Sequence, residues 1–106
     1  MHRIRIVTSL AIVFATGVAF AAATEIDQVG QKFSQTKLAI VRGDAVTFVN
    51  HDDVTHNINV IDEDDNAVDK GLQKPGESIE QKFDKTGNFV VRCSIHPKMK
   101  MTVAVK

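Results

Sequence analysis

Residues 90–101, VVRCSIHPKMKM, gather the single cysteine of a 106-residue chain, Cys93, with His96 three positions on and the methionines Met99 and Met101. A thiolate, an imidazole and a thioether share one property, a lone pair suited to a transition metal. Two donors three residues apart in a turn converge on one ion, but closing the site needs a donor from elsewhere. His56, in VTHNINV, is the candidate. Two imidazoles and a thiolate suit zinc or copper, whereas a thioether binds zinc poorly, binds Cu(I) well and serves Cu(II) as a weak axial ligand. The donor set therefore favours copper. With three strong donors and a weak fourth no coordination position is left open for substrate, so the chemistry expected is electron carriage rather than catalysis.

Positioning these donors falls to short strands. Leu38 and Ile40 alternate, RGD (42–44) turns the chain, and Val46 and Phe48 alternate again. His56, Ile58 and Val60 share one parity, which places His56 at a strand start, facing the same interior as Cys93. Ile79, Gln81 and Phe83 form a further alternating set, as do Phe89, Val91 and Cys93, and Met101, Val103 and Val105. KPGE (74–77) carries Pro and Gly where a type II turn needs them, predicting a hairpin or the start of a strand. Short strands separated by such turns predict a compact antiparallel sandwich or barrel. Six Phe, two of them near the N-terminus, and no Trp or Tyr make a thin core, which a bound metal would reinforce.

The N-terminus reads differently. Arg3 and Arg5, an apolar run from Ile6 to Phe20 and the small-residue pattern Ala19-Phe20-Ala21 form an export signal. Cleavage is expected after Ala21, with Ala23 as the second choice, giving a signal over 1–21 and one domain over 22–106. Thirteen basic and 13 acidic residues balance in the full chain, and losing Arg3 and Arg5 leaves a slight acidic excess. No basic footprint for nucleic acid results. Export also sharpens the meaning of a lone thiol, which in an oxidising compartment must be buried, paired with another chain or held as a ligand.

Rival readings are weaker. DEDDN (62–66) places Asp62, Asp64 and Asn66 at calcium-loop spacing, but Ala67 stands where glycine is required and Gln73 where glutamate is, so a solvated acidic turn is expected. A Cys93–His96 nucleophile pair would need an orienting third group and a substrate pocket that so small a domain offers little room for. His51, in the polar NHDD, reads as a surface-loop residue without a role. Carriage or delivery of Cu(I) by the same thiolate and thioether is the alternative to electron transfer.

The segments FVNHDDVTHNI and GNFVVRCSIHPKM together resemble the cupredoxins, the small blue-copper proteins of the amicyanin, pseudoazurin and plastocyanin type. The resemblance runs from about Phe33 to Lys106. It implies an all-β, small antiparallel Greek-key β-sandwich with one type 1 copper ion, held by His56, Cys93, His96 and an axial methionine. The C-x-x-H-P-x-M spacing, as in amicyanins, selects Met99; the longer spacing of pseudoazurin and plastocyanin selects Met101. Met99 is the choice adopted. Thr55 and Ile95 stand where many relatives carry proline.

By the same resemblance Asn57 ties the His56 loop to the loop after Cys93, at Ser94, as outer hydrogen bonds to a metal site do. The implied role is a monomeric periplasmic shuttle, not an enzyme, exchanging single electrons with redox proteins such as a c-type cytochrome or a periplasmic dehydrogenase. His96, beside Pro97 on a surface loop, is the expected exit for the electron. Arg92, Lys98 and Lys100 around it are placed to steer an acidic partner.

Overall fold

The computed structural model describes residues 23–106, so the export segment expected over 1–21 lies outside the described residues. Among the described residues eight strands form two sheets. In chain order they are β1 (Ala23–Gln28), β2 (Lys37–Ile40), β3 (Ala45–Asn50), β4 (His56–Ile61), β5 (Ala67–Gln73), β6 (Ser78–Lys82), β7 (Gly87–Arg92) and β8 (Lys100–Val105). One sheet has the order β1-β3-β6 and the other β2-β8-β7-β4-β5.

The alternation in the sequence becomes the inner faces of a sandwich. Val46, Phe48 and Asn50 of β3 are buried while their neighbours are not, and Met101, Val103 and Val105 of β8 behave alike. Ile26 and Phe33 join Phe48 from one side; Ile58, Val60 and Val91 face them from the other sheet. Two edge-to-face aromatic pairs contribute to the packing, Phe33 on Phe48 with centroids 6.0 Å apart and Phe83 on Phe89 at 5.2 Å. Such pairs add about 0.5–1.5 kcal/mol each beyond the area they bury. Phe83 follows β6 of the small sheet and Phe89 lies in β7 of the large one, so the second pair joins the two layers.

Turns carry the chain between layers. In KPGE the Glu77 amide donates to the Lys74 carbonyl at 3.0 Å and Gly76 takes φ 84°, so this turn leads from β5 in the large sheet to β6 in the small one. At RGD the Asp44 amide closes on the Val41 carbonyl at 3.0 Å with Gly43 at φ 95°, leading β2 into β3. Only β4–β5 and β7–β8 join consecutive neighbours; the other pairings are made by crossovers, as in a Greek key.

Two pairings, β1 with β3 and β2 with β8, are parallel, within a sandwich whose other pairings are antiparallel as expected. The reason is the layer change: β2 crosses to the large sheet, so the chain re-enters the small sheet as β3 running in the direction of β1. Two strands also escaped the alternation. β5 is exposed along most of its length at the edge of the large sheet, and β1 follows directly on the apolar N-terminal segment.

The topology fixes where the donors meet. β4 and β7 are antiparallel neighbours, with Asn59 opposite Arg92 and Val60 opposite Val91, so the start of β4 and the end of β7 lie at one end of the sandwich. His56 begins β4 and Cys93 follows β7 directly.

Candidate metal centre

His56 and Cys93 are completely buried, and His96, on the β7–β8 loop, is half-buried. Their donor atoms converge. The Nδ1 atoms of His56 and His96 lie 3.2 Å apart, and Cys93 Sγ lies 3.8 Å from the first and 3.7 Å from the second. The triangle of these three atoms has a circumradius of about 2.1 Å, the length of a metal–imidazole bond. Among the described residues they are the cluster of histidine, cysteine and acidic side chains placed to hold a metal ion.

The hydrogen bonds around the donors fit that use. His56 Nε2 lies 2.7 Å from Asp52 Oδ2, and an ionised carboxylate only accepts, so the proton sits on Nε2. In the neutral ring Nδ1 is then a lone pair aimed into the cluster. The Asn57 amide donates to Cys93 Sγ at 3.3 Å, and the Asn57 side-chain oxygen accepts from the Ser94 amide at 3.0 Å. The tie expected between the two loops is therefore present. Asn57 Nδ2 in turn donates to Asp69 Oδ1 at 2.7 Å, so β5 fixes the orientation of this amide.

Register decides how the methionines stand. In the β7–β8 hairpin Arg92 faces Lys100, and the Cys93 amide donates to the Met99 carbonyl at 3.3 Å, so Met99 sits opposite Cys93 at the mouth of the loop. Opposed residues of an antiparallel pair point to the same face, and both side chains are buried. Met101 lies opposite Val91, two residues or about 7 Å further into the core.

Other residues singled out in the sequence lie apart from the centre. His51 is exposed, with Nε2 3.1 Å from Asp27 Oδ1. Asp62 closes its own turn, accepting the amides of Asp64 and Asn66 at 2.9 Å each, and the amide of Asn66 leads the bonds that hold its carboxyl below the ordinary value of 3.8. These bonds are those of a self-closed acidic turn.

Asp52 carried no signal in the sequence. It stands four residues before His56 in a loop, where no periodicity marks a partner, yet its carboxylate also accepts the backbone amides of Gly30 at 2.6 Å and Gln31 at 2.9 Å. Burial is the largest single influence and pushes its carboxyl up, but hydrogen bonds from His56, Gln31 and Gly30 more than offset it, holding the group below its ordinary value.

Residues 20–106 match the family of copper binding proteins of the plastocyanin/azurin type. Plastocyanin from Ulva arasakii is 34% identical over 87 residues, covering 70% of this chain and 86% of that protein. The methylamine utilization protein MauL of Methylorubrum extorquens is 39% identical over 66 residues, 60% of this chain and 58% of MauL. MauL of Methylophilus methylotrophus is 35% identical over 65 residues, 59% of this chain. The chain thus spans 58% and 37% of the lengths of these two MauL proteins.

In three dimensions a reduced amicyanin superposes with a TM-score of 0.73 at 24% identity, over 79% of this chain and 82% of amicyanin. A copper-containing nitrite reductase from Thermus scotoductus superposes with a TM-score of 0.71 at 32% identity, over 80% of this chain but 22% of the reductase. With the family matched across all the described strands and the donor triangle at one end of the sandwich, the chain belongs to the plastocyanin/azurin family of copper-binding proteins and is a small cupredoxin of the type 1, blue-copper kind.

Proposed function

We propose that this cupredoxin is a periplasmic carrier of single electrons that would hold copper through His56, Cys93 and His96 as strong ligands and Met99 as a weak fourth. The observation that carries the reading is the convergence of two Nδ1 atoms and one sulfur in a site where only His96 reaches the surface. Copper bound there would supply a Cu(I)/Cu(II) couple served by both soft and borderline donors. The protein's part is to hold the donors still, through Asn57 across the two loops. Met99 is preferred to Met101 because it stands across from Cys93, whereas Met101 belongs to the core.

His96 is the proposed exit. It lies on an open groove of about 540 Å³ lined by Gly30, Gln31 and Lys32 on one wall and Ile95, Pro97 and Lys98 on the other. Ile95 is 47% exposed there, an apolar contact for a partner, and the two lysines beside it favour an acidic surface. Redox proteins such as a c-type cytochrome or a periplasmic dehydrogenase fit that description. The likeness to the MauL proteins, named for methylamine utilization, supports a place in that process. The A-x-A pattern at 19–21 supports export with cleavage after Ala21, which leaves β1 whole from Ala23.

The reading is of a carrier rather than an enzyme, since the donors close on one another and leave no position for substrate. Addition of Cu(II) to the purified protein tests it. An intense thiolate-to-copper visible band with reversible one-electron cycling is the expected result. Tight retention of Cu(I) with no such band would instead make the protein a copper carrier.

A further inference from the structure

The strongest unassigned relationship in the molecule is the reach of one carboxylate from the surface groove to a buried ligand. The Asp52 side chain is only 10% exposed and engages three donors: Nε2 of His56 at 2.7 Å, and the backbone amides of Gly30 at 2.6 Å and Gln31 at 2.9 Å. Those amides belong to the β1–β2 loop, whose Gly30, Gln31 and Lys32 form one wall of the groove beside His96. Gly30 and Gln31 both take positive φ, 62° and 55°, which turns their successive amides toward the one carboxylate, Gly30 to Oδ1 and Gln31 to Oδ2. Asn50 Oδ1 accepts the Asp52 amide at 2.9 Å, and Asn50 itself is fully buried, so the backbone carrying the carboxylate is fixed as well.

We infer that Asp52 is a positioning residue of the copper centre: it holds the Nε2–H tautomer and the ring orientation of His56, strengthens that ring as a donor, and pins the groove wall to it. The inference rests on the ligand role proposed for His56. Carboxylates behind metal-bound imidazoles act in this way, and their loss typically weakens metal binding 10- to 100-fold. A more basic imidazole favours Cu(II) over Cu(I), so removing the carboxylate should shift the one-electron equilibrium toward the reduced form. A tenfold shift corresponds to 59 mV of higher potential.

Asp52→Asn tests this against Asp53→Asn, which removes the same charge from the neighbouring exposed residue. In the metal-free wild type, NMR should show a slowly exchanging His56 Nε2–H proton and protected amides at Gly30 and Gln31. Asp52→Asn should accelerate exchange at all three at least tenfold, and Asp53→Asn should leave them unchanged. With copper bound, Asp52→Asn should raise the potential by about 59 mV and Asp53→Asn by much less. Equal shifts in the two variants, or an unprotected Nε2–H in the wild type, would overturn the role of Asp52. The wild-type resonance decides even if Asp52→Asn fails to fold. Absence of a blue band in the wild type would instead sink the electron-carrier reading, while the metal-free exchange data would still judge the contact.

Discussion

Cys93 and Met99 face each other across the mouth of the β7–β8 hairpin, joined by a 3.3 Å bond from the Cys93 amide to the Met99 carbonyl. The six-residue step between them closes the loop that carries His96. On the proposed ligand set the two methionines have different work. Met99→Leu should alter the visible spectrum and potential of the copper form. Met101→Leu, a nearly volume-conserving change in the core, should leave both in place and cost less than about 1.5 kcal/mol in a denaturant titration. The reverse pattern would assign the axial position to Met101.

Cys93→Ser should abolish the intense visible band, because no thiolate remains, while the metal-free domain keeps its β-rich circular dichroism. Copper should also stop raising the melting temperature. In the wild type, free copper at 100 times Kd should add about 2.7 kcal/mol. A variant that kept the colour would remove Cys93 from the ligand set.

Asn57 bonds the Ser94 amide, Asp69 and the Gly71 carbonyl while nearly fully buried. Asn57→Leu leaves those groups without their partner, at a cost of about 1–3 kcal/mol. Copper affinity should fall about 10- to 100-fold as the two ligand loops uncouple. Chemical denaturation and competitive copper titration measure the two effects separately, and unchanged affinity would limit Asn57 to a role in folding.

Asp62 is held below its ordinary value of 3.8, first by the amide of Asn66, so its folded carboxyl binds a proton less readily than the unfolded one. The stability this contributes is fully present above pH 3.8 and is lost as pH falls through the lowered value. Asp62→Ala should therefore lower the urea midpoint at neutral pH, and its deficit should shrink on acidification. A deficit that stayed constant with pH would show that the turn does not stabilise through this charge.

Most of the candidate centre was legible before folding. Cys93, His96 and Met99 lie within seven residues, and donor softness pointed to copper without any coordinates. His56 was reachable because it shares the parity of Ile58 and Val60, which placed it on an inner face. The bond from Ser94 to Asn57 was expected from family resemblance and is present at 3.0 Å. Asp52 was not legible: a loop residue has no periodicity, and its three partners come from His56 and a loop some twenty residues upstream. β5 was missed because an exposed edge strand buries neither face, which erases the alternation that reveals strands.

The sequence by itself determined the donor types, their local spacing and the parity of the inner strands, since these are properties of neighbouring residues. Tertiary structure decided the rest: that β1 and β3 run parallel, that the ends of β4 and β7 meet, and that Met99 rather than Met101 stands across from Cys93. The first two depend on strand pairing between distant segments, the third on the register of the β7–β8 hairpin. No local preference encodes such pairing; it emerges only when two sheets bury their apolar faces against each other.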